Sequence, residues 1–258
     1  MTIEKKKEKI NIIKECILRI LVYFRLYPNI FFTFLPFKIY EFKELLKGII
    51  FSRDELILDI GCGRGLQTML LGKRCKKIIG IDISEQDINV AKRRSLYMKK
   101  RIDSEFYRVR IEDAKFQNEY FDKIFSVCVI EHISNYVEVL IEAYRILKKD
   151  GQMIFSVDSL ETTEDNEILE KHKKDHLVEH YFNKEELKTL LEKIGFNRIN
   201  IYPIFKSNFA KRIFIKGIIN GFACGYLRSI LAYYILKHKE KYYANENKGI
   251  FLIVKCYK

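Results

Sequence analysis

The sequence predicts an α/β domain wound on both faces of a mostly parallel sheet, and three observations carry that prediction. From residue 55 onward, short apolar runs alternate with helical stretches. The runs are rich in Val and Ile, as strands covered on both faces require. The first of them enters a glycine-rich turn, Gly61-Cys62-Gly63-Arg64-Gly65, that opens a helix. With 258 residues, 48% of them hydrophobic, the chain can build one sizeable core with additions, and disorder is not the default reading.

The elements follow in order. Ile10, Ile13, Ile17, Ile20 and Phe24 recur at helical spacing and predict an amphipathic helix over 3–27, stopped by the Tyr27-Pro28-Asn29 turn. An aromatic run from Ile30 to Phe37 precedes a helix at about 38–48. Strands are expected at Glu55–Ile60, Lys77–Ile83, Glu105–Ile111, Lys123–Ile130 and Met153–Val157, with helices at 65–75, 85–101 and 134–148. A linker is expected over 159–175, then a helix at 183–195 ended by Gly195. Arg198–Pro203 and Ile250–Tyr257 read as two more strands. The 204–248 segment between them is too long for a hairpin loop and carries helical stretches near 209–219 and 226–236, so it reads as an insertion within the fold. Residues 1–53 form a separate N-terminal helical segment, and the α/β domain runs from 54 to 258.

The net charge of +13 is unevenly placed. Residues 1–53 hold 11 basic and 5 acidic side chains, residues 204–248 hold 9 and 2, and the remainder is neutral. Both charged segments are also rich in Ile, Leu, Phe and Tyr. Basic plus apolar composition points to an anionic membrane surface or a lipid-like partner; solvated lysines on helices whose other face is core give the same composition. No run of 18 uncharged apolar residues exists, so a spanning helix is not expected. Glu15, Arg19 and Arg25 interrupt the N-terminal apolar stretch, against a secretory signal. The six cysteines show no close pairing, which disfavours a disulfide framework or zinc site and suits a reducing, cytoplasmic setting.

The strongest local signal is the strand and turn Leu56–Gly65. Glycines at 61, 63 and 65 let backbone approach a ligand where a Cβ would clash. Leu66 stands where a dinucleotide fingerprint needs its third glycine, which argues against a pyrophosphate cradle and against a nicotinamide-dependent oxidoreductase. Asp82 ends the next strand, 21 residues after Gly61, where a carboxylate can accept both hydroxyls of a ribose.

These residues resemble the class I S-adenosylmethionine-dependent methyltransferases. LILDIGCGRG is similar to their first motif, IIGIDIS to their second and FDKIFSVCVIEHI to their fourth-strand motif. YRILKKDGQMIFSV resembles their R-x-L-K-x-G-G segment, with Asp150 in place of the first glycine, and HYFNKEELKTLLEKIGF resembles a later substrate-side helix. The resemblance covers about residues 54–203 and the last strand. It implies a seven-stranded sheet with an antiparallel last strand, and S-adenosyl-L-methionine as cofactor. Carried over by position, Asp59 and Gly61, Cys62, Gly63 and Gly65 line the methionine half, Asp82 holds the ribose and Ile83 packs on adenine. The usual adenine-side acid falls on Arg110; Glu112, rather than Asp113, is taken in its place. Ile111 and Val129 complete the cofactor-binding set.

An activated methyl donor asks the protein to align an acceptor lone pair and exclude water, with a base where the acceptor must lose a proton. Glu131 and His132, at the end of the fourth strand, are the catalytic candidates, His132 being the favoured base. His172, His176 and His180 have the spacing of one helical face; they could ligate a metal, but flanking the acceptor entrance or solvation suits them better, and no metal is expected. The expected acceptor is small, amphipathic or lipid-linked, with peripheral contact to an anionic membrane through 1–53 and 204–248. An RNA-modifying enzyme and a non-catalytic cofactor-binding protein are the alternatives. Nucleic acid is disfavoured, because neither basic segment carries a recognisable RNA-binding module and the motif of enzymes that methylate exocyclic base nitrogens is missing.

Overall fold

The computed structural model describes residues 20–24, 26, 36–163, 165–222, 226–243 and 246–258. The predicted N-terminal helix and its Pro28 turn therefore fall almost wholly outside the described residues. The elements are α1 (Pro36–Leu46), β1 (Leu56–Ile60), α2 (Leu66–Gly72), β2 (Lys77–Asp82), α3 (Glu85–Leu96), β3 (Ser104–Arg108), β4 (Phe121–Val127), α4 (Tyr136–Ile146), β5 (Leu147–Asp158), α5 (Asn166–His176), α6 (Lys184–Ile194), β6 (Asn197–Ile204), α7 (Asn208–Asn220), α8 (Tyr226–Lys241) and β7 (Phe251–Tyr257).

The seven strands form one sheet in the order β3-β2-β1-β4-β5-β7-β6. The pairs from β3 through β5 are parallel, whereas β7 runs antiparallel to both β5 and β6. Strand order reverses at β1 and β4, so their carboxyl ends open a crevice, the usual ligand position in such sheets. Both faces are apolar, and successive strand residues divide between two cores. Ile57, Phe125, Phe251 and Ile253 face one core, with α1, α2 and α7; Leu58, Ile124, Leu252 and Val254 face the other, with α4 and α6. Burial on both faces explains why the strands read as continuous apolar runs.

The fifth strand begins six residues early, at Leu147, and the helices expected at 65–75 and 85–101 end at Gly72 and Leu96; three further differences have a local reason. The fourth strand stops at Val127 because Cys128 takes a left-handed conformation, φ 50°, and Ile130–His132 close into a single 3₁₀ turn. Such a conformation is uncommon for a residue with a Cβ, and the sequence does not announce it. The third strand likewise ends at Arg108, with Ile111 opening a 3₁₀ turn. The expected linker at 159–175 is instead largely helix α5, capped by the Asp165 carboxylate, which accepts from the Glu167 and Ile168 N–H groups. Asp150, the departure from the glycine pattern, sits at φ 60° and ion-pairs with Arg198 at 2.9 Å. Asp is among the few residues that tolerate that region, so the turn survives the substitution.

Helix α1 closes over the sheet from the N-terminal side. The buried Lys255 ammonium donates to the carbonyls of Glu44 (3.0 Å) and Lys47 (2.6 Å), satisfying acceptors at the helix C-terminus. Phe37 packs edge-on against Phe205 and Phe214, joining α1 to the 204–248 insertion. Within that insertion the buried Glu240 carboxylate accepts from the Lys206 and Ser207 N–H groups at 2.8 and 2.9 Å. These contacts fasten α1, α7 and α8 beside the carboxyl ends of β4 and β5. Among the described residues no helix is long and apolar enough to cross a membrane.

Candidate functional site

A cavity of about 500 Å³ opens where β1, β2 and β4 end. Its first wall is the glycine turn. The Gly61 and Cys62 N–H groups both donate to the Ile81 carbonyl, at 2.9 and 3.0 Å, which binds the turn to β2. Gly61 has φ 68°, and a Cβ there would collide with the Val129 side chain. Gly63 has φ 49°, yet a Cβ built on it would meet nothing within 4 Å. The protein itself excludes a side chain at 61; at 63 the backbone is left bare toward open space, where a ligand can approach it.

Asp82 joins this wall to the next. Its Oδ2 accepts from the Gly63 N–H (2.8 Å) and its Oδ1 from the Ser84 N–H (2.9 Å), while the Ser84 hydroxyl caps α3. The carboxylate is thus fixed by two backbone donors and still faces the cavity with lone pairs to spare. Beside it Ile83 is 70% exposed. Glu112 also lines the cavity, its Oε1 accepting from Arg110 (3.2 Å) and Asn135 (3.1 Å). Asp113 points into a separate groove with Lys115 and Tyr120, so the structure separates the two acids that the sequence left adjacent.

Gly61, Asp82, Ile83, Ile111, Glu112, Val129 and His132 therefore meet at one cavity. Asp59 and Cys62 stand behind that wall. Asp59 is buried and accepts the Thr68 hydroxyl at 2.6 Å; burial pushes its carboxyl up to about 7, against that hydrogen bond. Cys62 packs with Ile88, Ala91 and Phe106, and burial followed by the charges of Asp59 and Asp82 pushes its thiol well up. Gly65, at φ 74°, sits under Phe106 and Ala91 and shapes the turn from below.

The catalytic candidates divide in the same way. His132 lines the cavity, and its Nδ1 lies 3.1 Å from the Leu177 carbonyl. A carbonyl only accepts, so Nδ1 carries the proton and Nε2 keeps its lone pair. Burial lowers the His132 pKa, offset in part by that carbonyl, which keeps the ring neutral. Glu131 is fully buried, and neither carboxylate oxygen has a hydrogen-bond partner. Its carboxyl is pushed well up by burial and by the nearby Asp158. The Glu131 carbonyl accepts from the Glu179 and His180 N–H groups, pinning this turn to the chain after α5.

The histidines at 172, 176 and 180 do not form one helical face. His172 and His176 share α5 with ring centroids 4.7 Å apart, but Leu177 at φ 54° ends the helix. His180 then stacks on Tyr136, with its Nε2 3.2 Å from Glu186 Oε1.

The sequence reading missed a buried polar group behind Cys128, the one member of it that lines the cavity. Glu41, fully buried on α1, receives Lys38 (2.9 Å), the Ser156 hydroxyl (2.5 Å) and the Cys128 thiol (2.9 Å). Asp158 and His172, both buried, complete it. Cys128, within the fourth-strand motif, and His172, in the histidine spacing, carried local signals; Lys38, Glu41, Ser156 and Asp158 carried none.

Residues 58–155 match the family model described as a methyltransferase domain. A ubiquinone biosynthesis O-methyltransferase of Pelagibacter ubique is 32% identical over 120 residues, 46% of each chain. A demethylmenaquinone methyltransferase of Tropheryma whipplei is 31% identical over 103 residues, 40% of this chain and 41% of its own. The matched region thus spans about half the length of these relatives or less. Among solved structures, a Haemonchus contortus phosphoethanolamine N-methyltransferase in complex with S-adenosyl-L-methionine shares the fold with TM-score 0.60 and 20% identity, covering 85% of this chain and 51% of that one. A Streptomyces coelicolor geranyl diphosphate C-methyltransferase does so with TM-score 0.63 and 11% identity, covering 85% and 78%. The family match, the glycine turn and the aspartate closing β2 identify residues 58–155 as a methyltransferase domain of the class I S-adenosylmethionine-dependent kind, and the solved structures share its fold.

Proposed function

We propose that this chain transfers a methyl group from S-adenosyl-L-methionine to a small, amphipathic or lipid-linked acceptor. The observation that carries the reading is the joining of Gly61, Asp82 and the open Ile83 side chain in one cavity that also holds His132, with the bare Gly63 backbone bound to the same Asp82 carboxylate. A nucleoside fits such walls: Asp82 takes the ribose hydroxyls, Ile83 covers one face of the base, Glu112 accepts from its amino group, and the glycine turn lines the amino-acid end.

The cofactor supplies an activated methyl group on a sulfonium. The chain's own residues then have two tasks. They hold the donor still, which Asp82 does through bonds already anchored to backbone, and orientation of this kind supplies much of the acceleration. They also take a proton where the acceptor carries one, and the free Nε2 of His132 is the group that does so. The amphipathic acceptor is supported by the quinone-biosynthesis names of the relatives and by the basic, apolar insertion, whose α7 packs beside α5. That insertion also makes peripheral contact with an anionic membrane. Binding to anionic vesicles should weaken as salt rises, since each Lys or Arg near the surface contributes about 1 kcal/mol.

The test is incubation with isotope-labelled S-adenosylmethionine and extract from the source organism. Label is expected in the lipid or apolar small-molecule fraction and absent with Asp82→Ala. Label in RNA, or none despite tight S-adenosylhomocysteine binding, would overturn the reading.

A further inference from the structure

At the wall that Cys128 shares with the cofactor cavity, three side chains with metal-ligating atoms converge. Cys128 Sγ and one carboxylate oxygen each from Glu131 and Asp158 lie within 4.8 Å of one another. Cys128 and Asp158 come from the adjoining ends of β4 and β5, and the left-handed turn at Cys128 swings Glu131 in beneath them. Glu131 and Asp158 are buried, so their charge has little access to water. Lys38 reaches this region but is held by Glu41 at 2.9 Å. Both Glu131 carboxylate oxygens are left without a hydrogen bond.

A second observation points the same way. Tyr181 donates its only hydroxyl proton to the Leu169 carbonyl at 3.2 Å. It can therefore only accept from His172 Nδ1, 3.0 Å away, so that nitrogen carries the hydrogen and Nε2 carries the lone pair. Nε2 lies 3.7 Å from Asp158 Oδ2, so its lone pair turns toward that buried carboxyl group. An imidazole whose far nitrogen is tied to an outer partner, and whose near nitrogen turns toward carboxylates, is the arrangement found around bound metals.

We propose that Cys128, Glu131 and Asp158, with His172 Nε2 at their edge, form a site for a divalent transition metal ion of the zinc, cobalt(II) or iron(II) class. A thiolate among the donors selects against magnesium and calcium, which take oxygen ligands almost exclusively. Sulfur, carboxylate and imidazole together suit a tetrahedral ion of borderline softness. The site does not depend on the methyl-transfer reading, and its test is optical.

The full chain, reduced and treated with chelator, is titrated anaerobically with Co²⁺. The expected result is one equivalent bound, an intense near-ultraviolet thiolate-to-cobalt band, and its displacement by Zn²⁺. Cys128→Ser should abolish the band, and Asp158→Asn should weaken binding by about 10- to 100-fold, at least the loss seen for outer-shell partners. Cys75→Ser, remote from the cluster, should keep both band and affinity. Circular dichroism and S-adenosylhomocysteine binding establish that each variant is folded. A wild-type chain that shows no band at stoichiometric Co²⁺ overturns the proposal, as does a band that survives Cys128→Ser. Should Cys128→Ser fail to fold, unchanged Co²⁺ affinity in Asp158→Asn overturns it instead.

Discussion

On the donor side of the cavity the glycine turn and Asp82 come from one continuous stretch, residues 59–84, with Ile111, Glu112 and Val129 closing it, whereas the polar cluster behind Cys128 draws on side chains scattered from Lys38 to Tyr181. On the donor side, function rests on backbone: the turn donates to Ile81, and Asp82 accepts from Gly63 and Ser84. In the inner cluster it rests on side chains meeting side chains, as Glu41 gathers Lys38, Cys128 and Ser156. A donor common to a whole family can be held by a turn that sequence specifies locally. An acceptor particular to one enzyme is met by surfaces that only the assembled fold creates. If this contrast is sound, substitutions on the two sides should fail in different measurements.

The largest effect is expected from His132→Asn, which removes the cavity's imidazole while leaving the donor wall intact. The proposed proton transfer predicts a fall in kcat of about 100- to 10,000-fold, with S-adenosylhomocysteine affinity unchanged by calorimetry. Affinity and kcat falling together would mean that His132 shapes the donor site, and the division of labour would be lost. Next comes Lys38→Ala. It strips the ammonium from a fully buried Glu41; because Lys38 is itself partly exposed, the loss should be about 3 kcal/mol, the low end for unpairing a buried charge. Urea denaturation checks this, and adding Glu41→Gln to Lys38→Met should recover most of it. Failure of that rescue would show that α1 is held by its apolar contacts alone.

Asp82→Ala acts on the other side and should spare folding. The proposed ribose contacts, worth roughly 1.5–3 kcal/mol, are lost, whereas the partly exposed Gly63 and Ser84 N–H groups exchange the carboxylate for water. Cofactor affinity should drop about 10- to 100-fold while the urea midpoint moves little. A large stability loss would make Asp82 chiefly a brace for the glycine turn.

The same contrast decides what was legible in the sequence. The sheet and its strand sequence were readable because strands buried on both faces leave unbroken Val/Ile runs, and the cofactor turn because Gly61–Gly65 and Asp82 lie close in the chain; the antiparallel close came only from the family resemblance. Glu112 could be preferred to Asp113 only weakly, since a 3₁₀ turn at 111–113 sends neighbouring side chains to opposite grooves. The inner cluster was not legible. Lys38 and Glu41 look like ordinary charges on an amphipathic helix until α1 is docked, and Asp158 and His172 fell at or inside an expected linker. Cys128 was read as one more strand residue, because nothing in Val127-Cys128-Val129 signals a left-handed turn. That turn is fixed by tertiary contacts, including the Cys128 N–H donating toward Ser156 on β5.

The last test reads the donor wall from behind. Asp59 is buried against Thr68, and its carboxyl is raised from 3.8 to about 7, with burial the leading cause. Between those values the native chain keeps a proton that the unfolded chain has released. Stability should therefore fall as pH rises across that window and level off above it, the reverse of a salt-bridged carboxylate. Asp59→Asn keeps the shape, removes the titration and should flatten that slope, as read from urea midpoints at a series of pH values. A slope unaltered by the substitution would assign it to other groups and leave Asp59 an ionised acceptor for Thr68. Stability that rises with pH in the wild type and loses that rise in Asp59→Asn would mean the carboxylate is stabilised by the turn, and the wall behind the glycines would be polar where the contrast requires it to be dry.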